Sequence, residues 1–276
     1  MSTLSGNIQL VSTKGRELTS LRAINELEKA EKERIYTTII PPRLFELLKI
    51  SPETLSGRDG LRRVTIIAPH GMGLARIEVK GHPADPHTVF FLDIADTHYR
   101  QMELSFCIIS DPSAARFAVD LDSNGNDNCF TTLGRNIPEE IRAMQAGLFP
   151  NQAVRGLRMF GEFFNLFERF VDSLAMDMIV AEPLTYDNAI RYEKYGFDYL
   201  HGRRLMEAID REFAADGRLT ARLDGSTPFR LPGMERTVRG RSWAIHDGIM
   251  DEPWEDVSIY KLVGAAAGVN TFTERP

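Results

Sequence analysis

Residues 152–213, QAVRGLRMFGEFFNLFERFVDSLAMDMIVAEPLTYDNAIRYEKYGFDYLHGRRLMEAIDREF, decide the fold. A turn at Arg155-Gly156 opens a helix in which Leu157, Phe160, Phe164, Phe167, Val171 and Leu174 recur in alternating steps of three and four. That spacing puts six apolar side chains on one face, as a core-facing helix requires. MDMIVA (176–181) is too short and too apolar for anything but a buried strand. A second helix is expected from Asp187 to Tyr195, stopped at Gly196-Phe197. A third, Arg203–Phe213, should bury Leu205, Ile209 and Phe213.

Working outward from this unit, the preceding block (62–130) is rich in β-branched and aromatic runs. RRVTIIAP (62–69), GLARIEVK (73–80), TVFFLDIA (88–95), QMELSFCII (101–109) and ARFAVDLD (115–122) are separated by Gly, Pro, Asp and His. Connections this short suit an antiparallel meander of five strands and exclude helical crossovers. DLDSNGND (120–127) opens like a calcium loop, with Asp120, Asp122, Asn124 and Gly125. Thr131 stands where the bidentate Glu is needed, so Asn124-Gly125 is expected to be a hairpin corner. Further upstream, Leu21, Ile24 and Leu27 among charged neighbours predict one amphipathic helix from Thr19, and Pro41-Pro42 starts another at RLFELLKI (43–50). Downstream of the block, Asn136 before Pro138-Glu139-Glu140 marks a helix start and Gly147 its stop. The expected fold is α/β (α+β), with a mixed, largely antiparallel sheet flanked by helices. It is read as a single large domain, 1–276, whose β-rich half (about 36–130) meets an α/β half (about 131–276).

Composition narrows the function. The chain has 276 residues, 43% hydrophobic and 26% charged, with a formal net charge of -6. No general attraction to nucleic acid or anionic membrane is expected from that balance. MSTLSGNIQL lacks the basic and apolar regions of a secretory leader, and no apolar run approaches bilayer length. With two cysteines, Cys107 and Cys129, and no CxxC, a cytoplasmic location is the expectation, with Cys107 a buried thiol.

The central unit resembles the Gcn5-related N-acetyltransferase superfamily over residues 152–200. That family has an Arg-Gly-x-Gly-x-Gly turn opening a helix, then a strand, then a helix with an Asn and an Ala-Ile-Arg-x-Tyr-Glu-Lys-x-Gly-Phe ending. Here the turn begins Arg155-Gly156, and the second helix reads Asn188-Ala189-Ile190-Arg191-Tyr192-Glu193-Lys194-Tyr195-Gly196-Phe197. Arg158 and Phe160 stand where the family has the later glycines. The resemblance implies an acyl-CoA N-acyltransferase-like fold and acetyl-CoA or another acyl-CoA as cofactor. It also implies a small-molecule or peptide amine as acceptor. Arg155, Gly156, Arg158, Gly161 and Asn188 would contact the cofactor, and Tyr192 would be the general acid toward the departing thiolate. A helix N-terminus suits the pyrophosphate because its amides are unpaired and its dipole favours an anion. Glu78 and Glu103, on strands of the β block, are candidate bases.

Two other segments carry chemistry-bearing side chains. Residues 82–98 hold His82, Asp85, His87, Asp93, Asp96 and His98, dense in metal-ligand types, so a metal-binding protein or metal-dependent enzyme is an alternative reading, although no ligand spacing such as HxxxH occurs. RTVRGRSWAIHDGI (236–249) gathers Arg236, Arg239 and Arg241 beside Trp243, His246 and Asp247. It reads as a basic loop that could grip a phosphate or carboxylate, or pair with the chain's own acids. A non-catalytic binding protein is the remaining class.

Overall fold

The computed structural model describes residues 9–274. The leader expectation drawn from the first residues therefore falls largely outside the described part. The chain forms two compact units that interleave along the sequence. Unit 1 comprises 1–112, 156–181 and 260–266; unit 2 comprises 113–155, 182–259 and 267–276.

Unit 1 begins with helices α1 (Leu21–Asn25), α2 (Lys29–Thr37) and α3 (Pro42–Leu48). The single helix expected from Thr19 is in fact two. Asn25 ends the first because its side chain turns fully inside. Its Nδ2 donates to the carbonyls of Met72 (2.7 Å) and Leu74 (2.8 Å), and its Oδ1 accepts from the Tyr36 hydroxyl (2.6 Å). Asp96 receives the amides of Leu21 and Arg22 at 2.9 and 3.0 Å, so the start of α1 is tied to the sheet.

The meander follows as β1 (Val64–Ile67), β2 (Leu74–Val79), β3 (Phe90–Asp96) and β4 (Gln101–Ile109), each antiparallel to the next. It has four strands; the fifth expected run does not join it. ARFAVDLD lies in unit 2 and makes only single bridges, Arg116 with Val154 and Leu121 with Asp127. The second bridge closes the hairpin turn expected at Asn124-Gly125. The β3–β4 register slips, with Asp93 opposite Phe106 and Ile94 opposite Leu104, so Ser105 bulges. Cys107, just past the bulge, is half-exposed where burial was expected.

After leaving at Ser110, the chain returns to β4 at Gly156, the two bridged to each other, while Leu157 N–H donates to Ile109 O. Helix α5 (Phe160–Ser173) and β5 (Met178–Ala181) follow, and β5 pairs with β4 in parallel. The helix buries Phe163, Phe164, Phe167, Phe170 and Val171, more than the one face foreseen. Phe163 meets Phe90 of β3 at 5.7 Å and Phe170 meets Tyr36 at 6.2 Å, so α5 is the bridge between sheet and N-terminal helices. Strand β7 (Ser258–Leu262) lies beside β5, and the strand order is β1-β2-β3-β4-β5-β7-β6, with β6 at Asp198–His201. The sheet is thus mixed and mostly antiparallel, as expected; β6 itself was not foreseen.

Unit 2 contains α4 (Ile137–Gln145), α6 (Tyr186–Glu193), α7 (Arg203–Glu212), α8 (Arg218–Ala221) and α9 (Val238–His246). Gly147 and Gly196 take the left-handed φ of helix stops, at 82° and 88°. On α7, Met206 and Ile209 are buried and Leu205 only half so. The segment read as a basic loop is helix α9 with a 3₁₀ turn (Met234–Arg236) before it. Trp243 anchors this helix. Its indole N–H donates to Leu148 O at 2.9 Å, and it stacks on Phe229 at 5.2 Å. A Cβ on Gly240 would lie 2.3 Å from Met234 O, so only glycine lets α9 turn back against the 3₁₀ turn.

Asn25→Leu strands two carbonyls and a tyrosine hydroxyl in the core. The expected loss is about 2–4 kcal/mol of unfolding free energy, read by urea denaturation. A loss under about 0.5 kcal/mol would show that water replaces the amide.

Candidate active site

The residues expected to hold the cofactor turn fall at the start of α5. Gly156 passes close to β4: a Cβ there would lie 3.1 Å from Ile109 O. Arg158 is exposed and takes a left-handed φ of 58°, an unusual conformation for a side-chain-bearing residue. No side chain caps the N-terminus of α5, whose N-cap is Met159; Gly161 is the second helical residue. Arg155 is exposed and, by the division of the chain, belongs to unit 2.

On β4, Glu103 and Ser105 are both exposed, and Ser105 Oγ donates to Glu103 Oε1 at 2.8 Å. Glu103 stands opposite Val180, the last of three parallel pairs after Gln101–Met178 and Met102–Ile179. Beyond it β4 continues to Ile109, whereas β5 ends at Ala181. Glu78, the other candidate base, lies on β2 opposite Phe91.

Asn188 and Tyr192 sit on α6 of unit 2, four residues apart and hence on one face, both half-buried. The Tyr192 ring lies 4.9 Å from Phe197. Their neighbours are more deeply held than the sequence suggested. Asp187 is buried, accepting from Ser242 Oγ (2.6 Å) and Thr185 Oγ1 (2.9 Å), and burial raises its carboxyl above the ordinary 3.8. Glu193 accepts from the Tyr199 hydroxyl at 2.5 Å and from Thr271 N and Oγ1 at 2.9 and 2.6 Å. Burial, then the hydrogen bond to Glu193, pushes the Tyr199 phenol up. Tyr186 is pushed up to about 12, again chiefly by burial.

The arginines of 236–249 turn inward or lie along the surface rather than forming one anion grip. Arg241 is fully buried and pairs with Asp210 at 2.8 Å. Arg239 donates to Gly147 O, and Arg236 lies beside Glu235. His246 Nε2 is 3.3 Å from Glu140, while Asp247 next to it takes Arg135 and Arg230 at 3.1 and 2.8 Å. Burial alone would raise the Glu140 carboxyl, but His246 and Arg135 outweigh it and hold it low. These contacts satisfy charges within the fold, the self-pairing reading of this segment.

Three acids of 82–98 likewise have structural roles. Asp93 forms a two-bond pair with Arg76, Asp96 caps α1, and Asp85 accepts the His82 amide at 2.6 Å. Among the described residues, no group of three or more His, Cys, Asp or Glu side chains is arranged to hold a metal ion. Nor is any described helix long and apolar enough to cross a membrane. Two surface cavities of unit 1, about 450 Å³ beside Phe45 and Lys49 and about 260 Å³ beside Ile35 and Phe170, include none of the expected site residues.

Because the folded-state pKa of Asp187 lies above 3.8, the folded chain keeps this proton where the unfolded chain has lost it. Its favourable contribution is complete below pH 3.8 and is lost as pH rises through the folded pKa. Asp187→Asn removes that titration. Unfolding free energies measured against pH should therefore show the variant gaining on the wild type as pH rises above about 4. A constant difference would contradict the burial argument. Comparison with protein-family models, curated proteins and solved structures finds no match to this chain.

Proposed function

We propose that the chain is an acyl-CoA-dependent N-acyltransferase with an acyl-CoA N-acyltransferase-like fold. The observation that carries this reading is the parallel pairing of β4 with β5 over three residue pairs only. Neighbouring strands that part company leave main-chain groups of β4 beyond reach of β5, and an acyl-pantetheine arm needs such a place to lie. The turn at Gly156, which returns to β4 beside Ile109, and the uncapped N-terminus of α5 add the second requirement, a seat for pyrophosphate.

The residues present suit that group. The first-turn amides of α5 and the exposed Arg158 guanidinium would take the pyrophosphate, with Gly156 and Gly161 shaping the turn. Arginine stands where a small residue would be expected, and its fork matches phosphate oxygens bidentately. Glu162, in the same turn, lies 3.7 Å from Arg43, which offsets its charge.

Acetyl-CoA, when bound, supplies an acyl group activated as a thioester. Glu103, exposed at the point where β4 and β5 stop pairing, takes the proton from an attacking amine, directly or through one water. Ser105 Oγ steadies that carboxylate. The bulge at Ser105 breaks the regular ladder with β3 just beyond Glu103, and main-chain N–H groups of β4 past the last β5 pair would take the acyl carbonyl oxygen. The departing thiolate takes its proton from water. The acceptor is a small-molecule or peptide amine.

Thiol release from acetyl-CoA with a panel of primary amines tests this. Glu103→Gln should lower kcat about 100-fold with little change in KM for acetyl-CoA, and Arg158→Ala should raise that KM about 10-fold. Acetyl-CoA at ~100 times its Kd should add about 2.7 kcal/mol to stability. No thermal shift with acetyl-CoA or CoA would overturn the proposal.

A further inference from the structure

The last described residues of unit 2 lie across α6, α7 and α9 without secondary structure of their own. Their contacts have a repeated pattern. Glu193 of α6 accepts both the N–H (2.9 Å) and the Oγ1–H (2.6 Å) of Thr271. Asp210 of α7 does the same for Thr273, at 3.2 and 2.9 Å. Between them, the Phe272 ring covers the guanidinium of Arg241 at 4.5 Å, with Phe213 on the same guanidinium at 5.3 Å.

Each carboxylate therefore reads a main-chain amide and a hydroxyl of one residue, two residues apart along the chain. A proline fails at either position for want of the amide, and a valine for want of the hydroxyl. A cation with an aromatic platform reads the side chain in the middle. From Ala267 to Thr273, the main-chain to main-chain bond with the rest of unit 2 is Ala267 N to Gly196 O alone among the described residues. The segment is thus held by what its residues are rather than by a strand ladder.

Further observations support a groove that exists in its own right. Arg241 is fixed from below, its Nε to Glu235 O at 2.7 Å and its Nη1 to Asp210 at 2.8 Å. Its buried Nη2 has no hydrogen-bond partner among the described residues, a donor that the overlying segment leaves unused. Glu193 is likewise braced by the Tyr199 hydroxyl. The segment is joined to β7 through Gly264 and Gly268, both at left-handed φ (74° and 69°), flanking exposed alanines.

We infer that Glu193, Asp210 and Arg241 form a recognition groove for an extended peptide that carries a hydroxyl residue on each side of an aromatic one. In this chain the groove is filled by its own Thr271-Phe272-Thr273. A tethered occupant competes at an effective concentration of about a millimolar. A partner peptide must therefore bind tightly, or have an acceptor for Arg241 Nη2 that the native segment lacks. The inference is independent of acyl transfer, since it uses neither β4 nor the α5 turn.

The test uses the full chain with a protease recognition sequence inserted between Ala266 and Ala267 and cut after folding. The freed segment should stay bound through size exclusion and then exchange with an excess of labelled peptide of sequence 268–276. A peptide with both threonines replaced by valine should incorporate at least tenfold less, and one with Phe272→Ala should also weaken. Equal incorporation of the native and valine peptides would overturn the inference. So would a cut segment that never exchanges, or one that is lost from a folded chain that then fails to take up the peptide. If cutting unfolds the chain, amide exchange of the uncut protein decides instead. Millimolar peptide should speed exchange at Thr271 and the valine peptide should not; no acceleration overturns the inference.

Discussion

Two parallel neighbours in a sheet cannot be joined by a hairpin, because the chain must travel back the length of the first strand before starting the second. The parallel pair β4–β5 imposes that journey on this protein, and much of the architecture follows from it. The return runs through α5, whose fourteen residues place Phe163 against the sheet and Phe170 against Tyr36. The same crossover leaves the α5 N-terminus beside the end of β4, where the Ile109 carbonyl meets the Leu157 amide. The bridge between Ser110 and Gly156 closes the base of an excursion, so residues 113–155 can build part of another unit while β4 and α5 keep their connection.

Unit 2 is organised differently, around charges held inside. Arg241 with Asp210, Glu193 with Tyr199, and the set Arg135, Glu140, Asp247 and His246 each bring ionisable groups out of water. Such groups are costly to bury singly and are tolerated because hydrogen bonds fill their lone pairs and protons. Asp187 follows the same rule with two hydroxyl donors, Ser242 and Thr185. An arrangement of this kind fixes which helix faces which, since a slip of one residue would strand a charge. The pair formed by Glu193 with Thr271 extends that logic to the last described residues.

How far the sequence foretold this depended on the range of the interaction involved. The spacing of Leu157 to Leu174, the β-branched runs of β1–β4 and the stops at Gly147 and Gly196 are local signals, and each produced its element. ARFAVDLD has a strand-like pattern, while its actual role, burying Val119 near Trp243, depends on residues more than a hundred positions away. The helix expected from Thr19 is interrupted by Asn25, whose three partners come from Tyr36 and the β2 region; nothing near it in sequence announces them. The segment 236–249 lacks an apolar stripe, so its helix was invisible to periodicity. The Thr237 hydroxyl, which accepts the Gly240 amide at 3.0 Å, is the capping signal that could have revealed it. Of the residues singled out for chemistry, the turn before α5 and the helix bearing Asn188 and Tyr192 are legible as local elements. The position of Glu103 at the last β4–β5 pair is not, because parallel register is set by the distant crossover.

The central claim is that the turn at the head of α5 holds the pyrophosphate of an acyl-CoA. Amide hydrogen exchange over residues 156–163, measured with and without saturating acetyl-CoA, tests it most directly. The account predicts that acetyl-CoA slows exchange at Arg158–Glu162 by at least tenfold and that CoA lacking the acyl group does the same. Unchanged exchange in that turn at saturating acetyl-CoA would contradict it.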